Sequence, residues 1–176
     1  MPERMSIATK VIYRQSTASD LQAIGELEAP SAIFTKAGLA ETLISAPAET
    51  VSFVAELDGK VIGHILLTAI TGPDRALALA PLAILAPWRD MQIGTELVRH
   101  ALHQARQQGW KSVFVSGQPD YYCRFGFRSH TADCASVDWQ GPRFLALELE
   151  KGALENWSGP LGYPDAFSDL FHTRQQ

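Results

Sequence analysis

Residues 86–98, APWRDMQIGTELV, are the most informative stretch of the sequence, because their pattern predicts a buried strand that passes through a polar turn into the strongest helix of the chain. The first N–H groups of a helix lack partners within it, and they point outward together with the positive end of the helix dipole. A pyrophosphate fits such a place, held by the amides of residues 91–95, with Gly94 allowing close approach and Arg89 adding charge. An ordinary strand-to-helix turn explains the junction equally well.

The sequence on either side predicts a mixed α/β sheet. Ile93, Leu97, Ala101 and Ala105 recur every fourth residue, which predicts a helix over 92–108 that ends before Gly109. The other predicted elements are strand 12–15, a helix capped from Thr17, helix 37–45, strands 51–57 and 60–69 joined by Asp58-Gly59, strand 76–85, strand 111–116, a short helix 119–124, a strand from Phe127 and a strand 143–150. This order predicts six or seven strands flanked by helices, in one domain over residues 1–176 with a core at 11–150 and a surface tail at 151–176.

Composition and charge narrow the classes of function. The formal net charge of −4 argues against broad nucleic-acid binding, which needs a clustered basic surface. No stretch has the length or apolar character of a membrane span or a signal peptide. Cys123 and Cys134 cannot build a disulfide framework, so we expect a cytoplasmic protein without nucleic-acid or membrane partners.

Metal and nucleophile patterns are weak in this sequence. His100 and His103 lie three apart on the strong helix without an evident third ligand, and Cys123, His130 and Cys134 lack close-paired spacing. No serine or cysteine lies in a recognisable nucleophile elbow. We therefore expect no metal.

PLAIL, residues 81–85, contains an unexpected proline on the predicted strand before the junction. Proline cannot donate to a sheet ladder, so we expect the strand to bend at Pro81 and lose a partner there. The freed backbone groups need new partners. Either water or a ligand with amide groups, such as the pantetheine arm of coenzyme A, satisfies that need.

DYYCRFGF, residues 120–127, puts Tyr122 four positions before Gly126 on a short helix. Taken together, PLAIL, WRDMQIGTEL and PDYYCRFGF resemble the GNAT superfamily of acyl-CoA N-acyltransferases. The superfamily signature [Q/R]-x-x-G-x-[G/A] maps onto Arg89, Gln92 and Gly94, so Gln92 stands where the first glycine is expected. The superfamily tyrosine maps onto Tyr122. The segments Gly152–Leu154 and Tyr163–Phe167 are similar to the tails of small predicted acetyltransferases of this superfamily.

The resemblance implies an N-acetyltransferase fold and chemistry. Coenzyme A inserts where the sheet splays between its fourth and fifth strands, and acetyl-CoA is the co-substrate. A primary amine of a small molecule or peptide attacks the thioester directly, an N–H near Leu82 stabilises the oxyanion, and Tyr122 donates to the departing thiolate, with Tyr121 as the fallback. The implied cofactor-binding residues are Leu82, Ala83, Ile84, Arg89, Asp90, Met91, Gln92, Ile93, Gly94, Thr95 and Arg124.

Several points stay open at the level of sequence. Glu56, His64 or water takes the proton of the amine. A positive φ at Gln92 would cost roughly 1–2 kcal/mol and weaken the cofactor site. A non-catalytic module that binds coenzyme A or acyl-CoA, as a sensor or partner-binding domain, is the competing function. The acceptor is undetermined, although the resemblance places its pocket near residues 28–46 and 128–142, and the protein is a monomer or a homodimer.

Overall fold

The computed structural model describes residues 10–28 and 38–167. The strands are β1 (Ile12–Gln15), β2 (Thr50–Leu57), β3 (Lys60–Ile70), β4 (Ala76–Ile84), β5 (Ser112–Ser116), β6 (Ala135–Ser136), β7 (Phe144–Glu148) and β8 (Gly159–Pro160). The helices are α1 (Leu21–Glu28), α2 (Leu39–Ser45), α3 (Ile93–Gln107) and α4 (Pro119–Tyr122), with short 3₁₀ turns between several elements. In the described ranges, no helix has the length and apolar character needed to cross a membrane.

The main sheet has six strands in the order β1-β2-β3-β4-β5-β7. β1 runs antiparallel to β2, and β5 runs antiparallel to β7. β4 and β5 are parallel, and their ladder pairs Ala76–Ala78 with Ser112–Phe114. Because β4 continues to Ile84, that ladder covers only its beginning within the described strands. The predicted mixed sheet flanked by helices is confirmed.

Backbone contacts divide the chain into two compact units. Among the described residues, the first unit comprises 10–28, 38–67 and 80–101, and the second comprises 68–79 and 102–167. The boundary crosses β3, β4 and α3, so each unit takes part of those elements.

In the first unit, local sequence patterns fix the entry to α1. Thr17 and Asp20 form the predicted capping box, in which the Thr17 N–H donates to the Asp20 carboxylate at 2.7 Å. Arg14 on β1 pairs with the same carboxylate at 2.8 Å. Ile24 and Leu27 of α1 are buried, as a helical stripe predicts. The predicted hairpin turn is also confirmed, since Asp58 and Gly59 have φ values of 50° and 77°. Of the helix predicted over 37–45, residue 37 lies outside the described residues.

In the second unit, the end of α3 is fixed by Gly109 and Arg75. Gly109 has φ 84°, which ends the helix as predicted. Arg75 donates to the Gln108 carbonyl at 2.8 Å, and its guanidinium lies 3.7 Å from the centre of the Trp110 ring. A cation over the last carbonyls complements the helix dipole and stabilises this end.

The strand predicted from Phe127 is wrong. Phe127 is fully buried but belongs to no strand, and Arg128 forms a single bridge with Ala146 of β7. A 3₁₀ turn over His130–Cys134 follows, and the two-residue strand β6 then pairs with β8. Phe127 stands between Gly126 and Arg128, and one buried aromatic residue gives a pattern too short to separate a single bridge from a strand.

The segment after residue 150, predicted to lie on the surface, contributes to the core of the second unit. Leu154 and Phe167 are 6% and 1% exposed. Gly162 and Thr71 exchange two backbone hydrogen bonds of 2.9 Å. The Gly and Pro content that predicted a loose covering therefore shapes turns that bring these apolar side chains inward. Residues 168–176 of the predicted tail lie outside the described residues.

Candidate functional site

The turn between β4 and α3 is tied to the sheet of the first unit. β4 ends at Ile84 and α3 begins at Ile93. The Leu85 N–H donates to the Ile62 carbonyl of β3 at 2.8 Å. Arg89 folds back so that its Nε donates to the Ile84 carbonyl at 3.1 Å. These bonds hold the turn against the strands that precede it, so its backbone is positioned before any ligand arrives.

Residues 89–94 cover the turn into α3 and the first residues of that helix, and we call this segment the amide cup. Arg89 is extended, with φ −69° and ψ 157°, whereas Asp90 and Gln92 are left-handed, with φ values of 62° and 64°. The left-handed residues redirect the chain just before the helix begins. The N–H of Glu96 donates to the Gln92 carbonyl at 3.1 Å, so the helical ladder begins there. The amides of the first turn of α3, including Gly94, consequently point out of the helix end, where the helix dipole adds a partial positive charge.

Two non-glycine residues in this cup hold a left-handed backbone. The positive φ considered for Gln92 is confirmed, and the expected cost is roughly 1–2 kcal/mol. Asp90 shares the conformation, which Asp tolerates better than most residues. Both side chains are exposed. Strain of this kind persists where the surroundings enforce it, and it clusters at ligand clamps.

The end of β4 presents Leu82, Ala83 and Ile84 just before the cup. The Ala80–Pro81 bond is cis, and the strand continues through Pro81 to Ile84. Leu82 and Ile84 are half-buried and Ala83 is buried. The paired part of the β4–β5 ladder ends upstream of these residues, at Ala78.

Gly63 on β3 allows the close packing behind this strand end. A Cβ on Gly63 would lie 2.9 Å from Ile84 Cδ1 and 3.1 Å from Leu97 Cδ1. Real Cβ atoms do not approach other carbons so closely, so the absence of a side chain lets β4 and α3 settle onto β3 within the first unit.

Tyr122 lies at the end of α4 in the second unit. Its N–H donates to the Gln118 carbonyl at 3.1 Å, and its ring meets the buried Phe127 ring edge to face at 5.6 Å. The ring also covers Gly117, where a Cβ would lie 2.5 Å from Tyr122 Cε2. Burial raises the pKa of Tyr122 above its ordinary value, so the phenol stays protonated at neutral pH and is available as a hydrogen-bond donor.

Arg124, in the 3₁₀ turn that follows α4, interacts with Tyr121 of α4. The Arg124 Nε donates to the Tyr121 carbonyl at 2.9 Å, and the guanidinium lies 4.6 Å from the centre of the Tyr121 ring. Tyr121 also meets Phe125 edge to face at 5.6 Å. Arg124 is exposed. Its charge is therefore held over the Tyr121 ring, which distinguishes the surroundings of Tyr121 from those of Tyr122.

The model of the Acetyltransferase (GNAT) family matches residues 20–127, which include the amide cup and Tyr122. The chain belongs to the GNAT acetyltransferase family. It is 36% identical over 132 residues to the uncharacterized N-acetyltransferase YjhQ of Escherichia coli K12, covering 69% of this chain and 70% of that protein.

Two solved GNAT structures share the fold. One is the Escherichia coli GNAT family N-acetyltransferase YhbS in complex with CoA, with TM-score 0.81, 24% identity, and coverage of 90% of this chain and 92% of that chain. The other is a Brucella melitensis GNAT family acetyltransferase in complex with acetyl-CoA, with TM-score 0.75, 25% identity, and coverage of 89% and 97%.

The residues predicted from the GNAT resemblance fall into two groups. The strand end and amide cup, all in the first unit, bring together Leu82, Ala83, Ile84, Arg89, Asp90, Met91, Gln92, Ile93, Gly94 and Thr95. Tyr122 and Arg124 belong to the second unit. We expected Arg89 to contact phosphate. Its Nε instead donates to the Ile84 carbonyl, so this part of the guanidinium holds the turn in place.

The two side chains considered, beside water, as candidate proton acceptors of this GNAT protein are both engaged in other contacts. Glu56 accepts from Arg14 at 3.4 Å. His64 is fully buried on β3, with Nε2 2.9 Å from Ser52 Oγ, which in turn accepts from Ser16 Oγ at 2.6 Å. Burial lowers the pKa of His64 to about 4, so its imidazole is neutral at physiological pH. We take it as a core histidine with a local hydrogen-bond chain.

The weaker sequence patterns have structural explanations. His100 stacks on Tyr13 with ring centres 4.9 Å apart, and no group of three potential metal ligands occurs within residues 10–28 and 38–167. Cys123 and Cys134 are free thiols. Asp133 and Asp138, on the stretch expected to help form the acceptor pocket, are exposed.

Sequence reasoning assigned no separate role to Gly117. It stands directly after β5 and two residues before the PDYYCRFGF segment. Its contact with the Tyr122 ring could not be read from spacing, because a glycine after a strand usually indicates only a turn.

Proposed function

We propose that this protein transfers an acetyl group from acetyl-CoA to a primary amine of a small molecule or peptide. Family membership supports the acyl-transfer chemistry, and the complexes of the two similar structures with CoA and acetyl-CoA support the co-substrate. The amide cup at residues 89–94 carries the proposal within this chain, because its two left-handed residues lead directly into the N-terminus of α3, where the first-turn amides suit a pyrophosphate.

The proposed binding uses backbone groups more than side chains. The pyrophosphate is held by the amides of residues 90–95, and Arg89 keeps the turn in shape through the Ile84 carbonyl. The pantetheine amides bond to the backbone of Leu82, Ala83 and Ile84. Arg124 adds a positive charge at the surface, which favours the anionic co-substrate.

The proposed reaction has no covalent enzyme intermediate. The neutral amine attacks the thioester carbonyl carbon, and the resulting oxyanion accepts from a backbone N–H near Leu82. As the C–S bond breaks, Tyr122 Oη donates its proton toward the thiolate sulfur and is then reprotonated from solvent. The raised pKa keeps the proton on Tyr122 until the sulfur becomes strongly basic, so the phenol acts as a positioned donor.

Water is the proposed acceptor of the amine proton. Glu56 is paired with Arg14, and the neutral imidazole of His64 is fully buried against Ser52. Neither group is free to meet a solvated amine, whereas water needs no pre-formed position.

We also propose that residues 1–176 form one domain. We propose a cytoplasmic location as well, and the exposed free thiol of Cys123 supports that location.

Replacement of two adjacent tyrosines tests the assignment. Thiol release from acetyl-CoA is measured over a panel of amines, and acetyl-CoA affinity is measured by calorimetric titration. Tyr122→Phe is expected to lower kcat about 10²-fold with little change in Kd, because only the transition-state donor is removed. Tyr121→Phe is the matched control and should keep activity. A full loss with Tyr121→Phe instead would move the role to Tyr121.

The same titration separates the competing functions. Binding without turnover for any amine would favour the non-catalytic coenzyme A module. Absence of binding at millimolar acetyl-CoA would remove both functions together.

A further inference from the structure

Gly117 lies against the ring of Tyr122 at the end of β5. A Cβ built on Gly117 would lie 2.5 Å from Tyr122 Cε2 and 3.0 Å from Cδ2. Its φ is outside the left-handed range, so the backbone there would accept an ordinary residue. Glycine is therefore needed at this position because it leaves room for the Tyr122 ring, and not because the backbone needs a left-handed conformation.

Both sides of this contact are anchored. The Gly117 N–H donates to the Arg143 carbonyl at 2.9 Å, which continues the β5–β7 pairing. Tyr122 is held by its own N–H bond to Gln118 and by the fully buried Phe127 ring against it. An added methyl group cannot be accommodated by a drift of the strand, so the tyrosine ring has to move.

We infer that Gly117 is a positioning residue for acetyl transfer, because its missing side chain sets the place of the Tyr122 hydroxyl. This inference rests on the proposed role of Tyr122. Carbon atoms in contact lie about 3.5–4.0 Å apart, so a Cβ at 2.5 Å displaces the ring by roughly 1 Å. A misplacement of about 1 Å in a reacting group lowers a rate on the order of 10²-fold.

A double-mutant cycle tests the inference. Gly117→Ala is made in the natural protein and in the Tyr122→Phe variant, and kcat and KM are measured with acetyl-CoA and an accepted amine. In the natural protein the alanine is expected to lower kcat by about 10²-fold with both KM values within about twofold. In the Tyr122→Phe background it should lower kcat by less than about threefold, because no hydroxyl remains to be displaced.

Gly25→Ala on α1 is the matched control, since a Cβ there meets only Glu41 Oε2, at the ordinary contact distance of 3.9 Å. It should leave kcat unchanged without lowering the melting temperature. Unchanged kcat in Gly117→Ala overturns the inference, and so does an equal loss of kcat in both backgrounds. If Tyr122→Phe alone keeps full activity, the proposed role of Tyr122 fails instead, and the two failures are thus distinguishable.

A second variant covers the case in which Gly117→Ala is too unstable for assay. Phe127→Leu makes room on another side of the Tyr122 ring. In that background the alanine should be tolerated in folding, and it should still lower kcat relative to Phe127→Leu alone, because the ring gives way toward position 127 and carries its hydroxyl with it. A kcat equal to that of Phe127→Leu alone would contradict the steric argument.

Discussion

Lowering the pH should destabilise this protein through protonation of His64, at pH values above those at which Asp20 becomes protonated. His64 is fully exposed to water in the unfolded chain, where its pKa is about 6.5, and burial lowers it to about 4 in the folded protein. The unfolded chain therefore binds a proton more readily. The resulting stability is present above about pH 6.5 and is lost as pH falls toward about 4.

The magnitude follows from the difference between those two values. Each pKa unit corresponds to about 1.4 kcal/mol, so the full effect is about 3 kcal/mol, of which about 2 kcal/mol falls between pH 7 and pH 5. Asp20 faces His64 and raises its pKa slightly, while its own pKa is lowered to about 2, mainly by its hydrogen bond with Arg14. The stability that Asp20 supplies is present above about 3.8 and is lost below that value, outside this window. Glu56 pairs with the same arginine, so Arg14, Asp20 and Glu56 form one cluster of charged side chains.

Urea unfolding at pH 7, 6 and 5 measures the effect. The natural protein is expected to lose about 2 kcal/mol of unfolding free energy between pH 7 and pH 5. His64→Gln should lose much less over the same interval, although it starts from a lower value because it disturbs the core. His103→Gln, at an exposed position on α3, should retain the natural slope. An unchanged pH dependence in His64→Gln would refute the burial argument.

Two further substitutions test the cup and the strand behind it. Gln92→Gly relieves a left-handed residue strained by roughly 1–2 kcal/mol, so acetyl-CoA should bind equally or more tightly in calorimetric titration; a large loss would show that the glutamine side chain contacts the ligand. Gly63→Ala puts a methyl 2.9 Å from Ile84 Cδ1, a terminal methyl group that can partly shift, so it should lower the unfolding free energy in urea by about 1 kcal/mol. Gly141→Ala, in open space, should not, and equal stability of the two alanine variants would contradict the reasoning.

The fold was largely predictable because its decisive patterns are local. β1, the capping box at Thr17, the Asp58-Gly59 hairpin and α3 each depend on a few neighbouring residues, and each was found where predicted. The stretch after Phe127 was mispredicted because its structure depends on one bridge to Ala146, a contact that alternation does not encode.

The candidate site divides in the same way. The position of the amide cup could be predicted from the motif around Gln92, and the sequence analysis had already considered a positive φ at that residue. The contact between Gly117 and Tyr122 could not be predicted, because it depends on how the short helix α4 packs back over the end of β5. The engagement of His64 with Ser52 likewise joins two strands and needs their register.

The exchange of hydrogen bonds between Thr71 and Gly162 sets a lower limit on the length of chain that can be expressed as a stable fragment. A version cut after β7 would leave both backbone groups of Thr71 unmatched and would expose the hollow that Phe167 fills. The family match stops at residue 127, but a fragment trimmed to that boundary would lack an entire edge of its sheet. Crystallisation or screening work should therefore retain the chain at least through Phe167.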